Sequence, residues 1–194
     1  GNVSSINTTA LLNVAINGTE NLSKLLNSTF LVNISNGSDT FIEFNFTFNS
    51  SNTLDLGSIT LNRTTNGSSA VSIRGINLTG INKTKTVFLE KANATVAAVC
   101  VKDANVGFET ISSSCDASNE ALINCDNQSS RGYTCYDTGT RYKITGLNHS
   151  AVKELCADND GDGYGTGCSL GSDCNDNDAN KNTDCRSGSS SSSS

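Results

Sequence analysis

A chain of 194 residues with a formal charge of −6, 6% aromatic residues and neither Trp nor Pro has modest means to build a large apolar core. The charge is local: residues 151–194 hold eight acidic and three basic side chains, and the rest of the chain eleven and ten. With no basic stripe, nucleic acid is excluded as an expected partner, and the acid cluster points to a cation instead. No apolar run approaches the ~18 residues of a membrane span.

Residues 1–98 show short alternating runs at Leu11–Ile16, Phe30–Ile34, Thr40–Phe48, Leu54–Leu61, Ala70–Ile76, Thr86–Glu90 and Thr95–Val101, separated by Asn-Gly and Ser/Asn clusters. These predict strands of an all-β, immunoglobulin-like sandwich. The run Asn21–Leu26 is left open between loop and one helical turn.

The same region is crowded with N-x-S/T acceptors. Of 16 Asn in residues 1–95, 14 stand in the motif: Asn2, Asn7, Asn17, Asn21, Asn27, Asn33, Asn36, Asn45, Asn49, Asn62, Asn66, Asn77, Asn82 and Asn93. Ser and Thr frequency alone would give about four or five such matches. From residue 96 onward only Asn127 and Asn148 of ten Asn match, close to chance. Placement agrees with use as acceptors, because a glycan has no room inside a sheet packing and side chains alternate along a strand. Ile42, Phe44, Phe46 and Phe48 share one parity, and Asn45 and Asn49 take the other. Asn17, Asn33 and Asn62 likewise oppose their apolar neighbours. Covalent N-glycans are expected to coat exposed strand faces and to guard edges that lack proline.

Residues 99–150 read as a second, smaller disulfide-stapled β unit containing Cys100, Cys115, Cys125 and Cys135, with strands near Tyr133–Tyr136 and Arg141–Thr145. Cys125 and Cys135 are the favoured pair, placed across a hairpin that turns near Ser129–Gly132. All eight cysteines, which include Cys156, Cys168, Cys174 and Cys185, lie in the second half. With no C-x-x-C pair and a single His, they suggest disulfides formed in an oxidising compartment rather than zinc ligation.

Residues 151–186 form the Asp/Cys-rich segment. Asp158, Asp160 and Asp162 follow D-x-D-x-D-G, so that a turn at Gly163 converges three carboxylates on one calcium ion and Tyr164 offers a main-chain carbonyl. An EF-hand would place Glu at position 12, where this chain has Ser169. The missing ligands are expected from Asp173, Asp176 and Asp178, with Asn180 or Asp184 nearby. This arrangement resembles the cysteine-linked aspartate loops of thrombospondin type 3 repeats and the D-x-D-x-D-G-Y-G repeats of microbial surface proteins. The resemblance covers about thirty residues, extends by motif to Asp158, Asp160, Asp162, Asp176 and Asp178, and implies a structural calcium that orders a segment with little to bury. The stretch Arg141–Ser150, after Gly132-Tyr-Thr-Cys135, is similar to segments of large secreted archaeal surface proteins. That second resemblance implies a cell-surface setting and an archaeal source. Residues 187–194 read as a Ser-rich linker or tail, and a secretory leader is expected to have been removed before Gly1.

No catalytic constellation emerges. The only imidazole, His149, lies inside a sequon, and Glu43, Asp55 and Glu90 occupy outward or strand-end positions without Trp or Tyr neighbours. The expected function is structural: an extracellular subunit of a cell-surface filament or surface layer, self-assembling, stabilised by calcium and disulfides, and not an enzyme. The alternative is a calcium-dependent adhesin or carbohydrate-binding module.

Overall fold

The computed structural model describes residues 12–20, 27–50, 54–65, 68–76, 78, 83–92, 96–155, 164–165, 173–175, 177–180 and 183. These are all-β. Twelve strands make two antiparallel sheets packed as a sandwich. They are β1 (Asn13–Ile16), β2 (Thr29–Asn36), β3 (Asp39–Thr47), β4 (Thr60–Thr64), β5 (Ala70–Arg74) and β6 (Lys85–Glu90), followed by β7 (Ala98–Lys102), β8 (Ala121–Asn124), β9 (Asp126–Ser130), β10 (Tyr133–Asp137), β11 (Arg141–Leu147) and β12 (Ala151–Glu154). One sheet runs β1-β2-β3-β6-β11-β10-β9 and the other β4-β5-β12-β7-β8. Among the described residues no helix is long and apolar enough to cross a membrane.

Side-chain alternation sets the core. In β3, Ile42, Phe44 and Phe46 turn inward while Asn45 faces solvent, and Ile42 pairs with Ile34 on one side and Val87 on the other. Phe46 and Phe48 meet edge to face at 4.8 Å, and Phe30 joins them at 6.3 Å from Phe48. Asn17 and Gly18, both with positive φ, close the two-residue turn between Ile16 and Thr19. This is the Asn-Gly chemistry that such a turn demands.

The expected boundary at residues 98/99 falls inside β7, and the strands beyond it do not form a separate unit. β11 pairs with β6, matching Tyr142 to Leu89, and β12 is inserted between β5 and β7. Ile123, Cys125, Cys135, Tyr142 and Ile144 therefore belong to the same core as Phe44 and Val87. The physical reason is size: some fifty residues bury too little apolar surface by themselves, whereas pairing with open strand edges of the first half buries both.

The five-stranded sheet is covered on both faces. Val99, Val101 and Val152 face the sandwich core, while Cys100 and Ala151 face a second small cluster with Ile111 and Cys115. That cover is the chain after β7, which includes a 3-10 turn at Phe108–Thr110. Leu54–Leu61 is not one strand, since a turn around Gly57 and Ser58 interrupts it and β4 begins at Thr60. The run Asn21–Leu26 lies outside the described residues.

Candidate functional site

Nine of the sixteen acceptor asparagines lie among the described residues. Asn17, Asn27, Asn36, Asn45, Asn49, Asn62 and Asn127 are exposed; Asn33 and Asn148 are half-buried. Asn33 sits opposite Glu43 and donates its side-chain amide to Glu43 Oε1 at 2.9 Å. Asn148 donates its main-chain N–H to Asp103 Oδ2 at 3.0 Å and its side-chain amide to the same oxygen at 3.5 Å. Asn2, Asn7, Asn21, Asn66, Asn77, Asn82 and Asn93 lie outside the described residues.

Three of these positions, Asn17, Asn33 and Asn45, cluster on or beside the outward face of β1–β3. On the other side of β3 in the same sheet, β6, β11 and β10 carry no sequon, and Asn127 stands on the edge strand β9. The outer residues of β6 and β11 include Phe88, Glu90, Arg141 and Lys143 instead, with Arg141 opposite Glu90 and Lys143 opposite Phe88.

Of the nine expected calcium ligands, Tyr164, Asp173, Asp178 and Asn180 are described; Asp158, Asp160, Asp162, Asp176 and Asp184 lie outside the described residues. Asp173 Oδ1 accepts the Asn175 N–H at 2.9 Å, and Asp178 Oδ1 accepts the Asn180 N–H at 3.3 Å. These are Asx turns, which fold each carboxylate back over its own main chain. Asp173 Oδ2 is buried with no hydrogen-bond partner. A carboxylate oxygen shielded from water and lacking a donor fits a hard cation. Asp173 and Asp178 are the described carboxylates of the expected ligand set, and among the described residues no three acidic, histidine or cysteine ligands of this segment gather within 4.8 Å of one another.

Cys100 pairs with Cys115 and Cys125 with Cys135, and Cys174 is also disulfide-bonded. Cys156, Cys168 and Cys185 lie outside the described residues. The Cys125–Cys135 bridge joins the residue between β8 and β9 to β10, across the hairpin in which β9 and β10 turn through Arg131 and Gly132. Cys100, Cys115 and the buried Glu120 bring two sulfurs and a carboxylate within 4.8 Å, but disulfide sulfur offers no thiolate to a metal. Glu120 is a structural hub. It accepts from the Ser112 N–H at 2.9 Å, the Ser112 hydroxyl at 2.5 Å and Lys102 Nζ at 3.3 Å. Burial pushes its carboxyl up, yet these bonds and one from the Ala117 N–H outweigh that and hold it below the ordinary value.

Two more charged groups lie fully inside. Lys85 is 1% exposed, donates Nζ to the Ile76 carbonyl at 2.5 Å, and is lowered by burial to a pKa of about 8, with Asp103 opposing the shift. Glu154 is 0% exposed; its Oε2 accepts the N–H groups of Ser69 at 3.1 Å and Ala92 at 3.0 Å, and its Oε1 faces the Tyr142 hydroxyl at 3.4 Å. The same hydroxyl donates to the Val96 carbonyl, and burial together with Glu154 pushes the Tyr142 phenol up. Neither feature is legible in the sequence, since the partners carry no motif: the Ile76 carbonyl is nine residues from Lys85, and Glu154 gathers the Ser69 and Ala92 N–H groups from 85 and 62 residues away.

The polar residues weighed for catalysis each have a local partner. His149 donates its main-chain N–H to Asp103 Oδ1 at 2.6 Å, Glu43 holds Asn33, Asp55 Oδ1 accepts the Gly57 N–H at 2.9 Å, and Glu90 pairs with Arg63 at 3.3 Å. The chain matches no family model, no curated protein and no solved structure.

Proposed function

We propose that this protein is a structural extracellular surface glycoprotein, a self-assembling subunit of a cell-surface filament or surface layer, and that it is not an enzyme. The observation that carries this reading is the sequon excess of 14 in 16 asparagines over residues 1–95. Its support from the fold is that each described acceptor is exposed or half-exposed. N-glycosylation replaces one hydrogen of the side-chain amide and leaves the other, so the Asn33–Glu43 bond is compatible with a sugar at Asn33. Disulfides fit an oxidising, extracellular setting.

In this proposal calcium is held by Asp158, Asp160, Asp162 and Tyr164 together with Asp173, Asp176 and Asp178, and by Asn180 or Asp184. The buried, partnerless Asp173 Oδ2 is the structural support for a cation in that segment. Its role is to neutralise carboxylates that otherwise repel one another in a segment with little apolar surface. Assembly is proposed to use strand addition along β1, a four-residue strand that among the described residues is paired on one side only. Electron micrographs of protein from its native source test this reading: filaments or a lattice are expected, and uniformly dispersed monomers contradict it.

A further inference from the structure

The two sequons of the second half, Asn127-Gln128-Ser129 and Asn148-His149-Ser150, meet opposite surroundings. An N-x-S/T motif is read as a pair, so the acceptor amide and the hydroxyl two residues later must both be reachable. Eight such pairs lie wholly within the described residues, and in seven of them the Ser or Thr is exposed or half-buried. Ser150 is the exception, at 0% exposure.

Bonds to one carboxylate hold the Asn148 sequon shut. The main-chain N–H of Asn148 donates to Asp103 Oδ2 at 3.0 Å and that of His149 to Oδ1 at 2.6 Å, while the Asn148 side-chain amide lies 3.5 Å from Oδ2. The Tyr133 hydroxyl donates to the same oxygen at 3.4 Å. Ser150 is fixed from its other side. Its carbonyl accepts the Ile73 N–H at 2.8 Å, and its Oγ is buried with no hydrogen-bond partner among the described residues. The next residue, Ala151, begins β12, which lies between β5 and β7 and pairs with both. Exposing the Ser150 hydroxyl therefore requires withdrawing the start of a central strand. Asn127 is the opposite case, on the edge strand β9, whose five residues are all exposed.

From this geometry we infer that Asn148 is an acceptor gated by folding, which takes sugar only before β12 enters the sheet, whereas Asn127 stays open on the finished chain. The gate rests on the glycoprotein reading and adds to it the order of sugar transfer and folding. β5 and β7 both precede β12 in the chain, so the strand that shuts the sequon is the last of the three to be made. In the transfer, Asn148 Nδ2 bonds to the anomeric carbon of a sugar carried on a polyprenyl phosphate or pyrophosphate. The bond from that carbon to the phosphate oxygen breaks, the phosphate leaves with the electron pair, and one amide proton passes to solvent. On the folded chain the rate scales with the fraction of molecules in which the 148–150 corner is open. The Asp103 contacts and the insertion of β12 keep that fraction small.

The test is sugar transfer in vitro. The intact, unglycosylated chain, oxidised and folded, is incubated with a purified oligosaccharyltransferase and its lipid-linked oligosaccharide, and modification of Asn127 and Asn148 is followed by peptide mass spectrometry. Synthetic peptides of residues 126–132 and 143–153 supply the unfolded rate of each sequon. On the folded chain Asn127 should react within about threefold of its peptide, and Asn148 at least about tenfold more slowly than its own. Asp103→Ala removes the acceptor that holds the corner, so Asn148 on the folded variant should react faster by about threefold or more while Asn127 is unchanged. An Asn148 rate equal to that of its peptide overturns the inference, as does an Asn127 slowed as much as Asn148. A 143–153 peptide that accepts no sugar also overturns it, because the sequence and not the fold then bars the site. Should Asp103→Ala fail to fold, the wild-type chain and the two peptides still decide it. Failure here leaves the glycoprotein reading standing; that reading falls instead if protein from its native source carries no sugar within residues 1–95.

Discussion

Glu154 ends β12 with its carboxylate inside the protein, and its two substitutions separate hydrogen bonding from charge. Both main-chain donors, Ser69 N–H and Ala92 N–H, converge on Oε2, and Oε1 faces Tyr142. Glu154→Ala orphans the buried Ser69 N–H at about 1–3 kcal/mol and the part-buried Ala92 N–H, which water partly answers, at less. The Tyr142 hydroxyl keeps its bond to the Val96 carbonyl and adds nothing to the loss. A total of about 2 kcal/mol or more follows. For a chain of this length that lowers Tm by about 4–8 °C. Glu154→Gln can place its carbonyl oxygen where Oε2 stands and keep both N–H bonds, while its amide N–H turns toward the Tyr142 oxygen. It also removes a buried charge, so the expected change is within about 1 kcal/mol. Urea unfolding of the oxidised chain, followed by circular dichroism and by tyrosine emission in the absence of Trp, measures both. A loss below about 1 kcal/mol for the alanine variant, or equal losses for both, would refute the reasoning.

Gly146 has φ +96°, and a Cβ there would meet the Gly132 carbonyl oxygen at 2.3 Å. Gly146→Ala is therefore expected to cost at least about 2 kcal/mol by thermal unfolding, and clearly more than Gly139→Ala, whose φ is +93° but whose Cβ would meet nothing within 4 Å. Lys85 supplies a pH prediction. Its folded pKa of about 8 lies below the ordinary 10.5, so the unfolded chain binds the extra proton between those values and stability rises with pH across that window. A gain of about 2 kcal/mol is expected between about pH 8 and 9.5, absent in Lys85→Met; a wild-type chain no more stable at the higher pH contradicts the burial argument. Cys100→Ala/Cys115→Ala removes a bridge of sequence separation 15 and should cost roughly 3 kcal/mol in denaturant unfolding. Calcium should protect residues 156–185 from proteolysis, and Asp160→Asn should weaken that protection; a cleavage pattern unchanged by calcium and chelator removes the metal from the proposal.

What the sequence disclosed follows from which forces act locally. Ile42 to Phe48 announces its strand by strict parity, because one face is dry and the other wet, and the structure places that strand at Asp39–Thr47. β12 gave no such sign: Ala151 and Val152 are buried on opposite faces, so alternation is lost. β9, with the sequence DNQSS and every residue exposed, has no apolar signal and is held by pairing to β10 beside the Cys125–Cys135 bridge. Division of the chain near residue 98 failed for a related reason, since β5 and β6 each take one of their two partners from more than fifty residues downstream. At the candidate sites, acceptor motifs and the aspartate spacing are local and could be read directly. The buried contacts of Glu154 could not, because Ser69, Ala92 and Tyr142 share no motif with it and meet it only in the folded sandwich.

Dense glycosylation is the claim on which the surface-protein reading depends, and intact-mass spectrometry of protein from its native source tests it most directly. The expected result is a heterogeneous mass well above the bare 20.2 kDa, with modified peptides mapping to acceptors within residues 1–95. A single species at 20.2 kDa, with those asparagines unmodified, would contradict it.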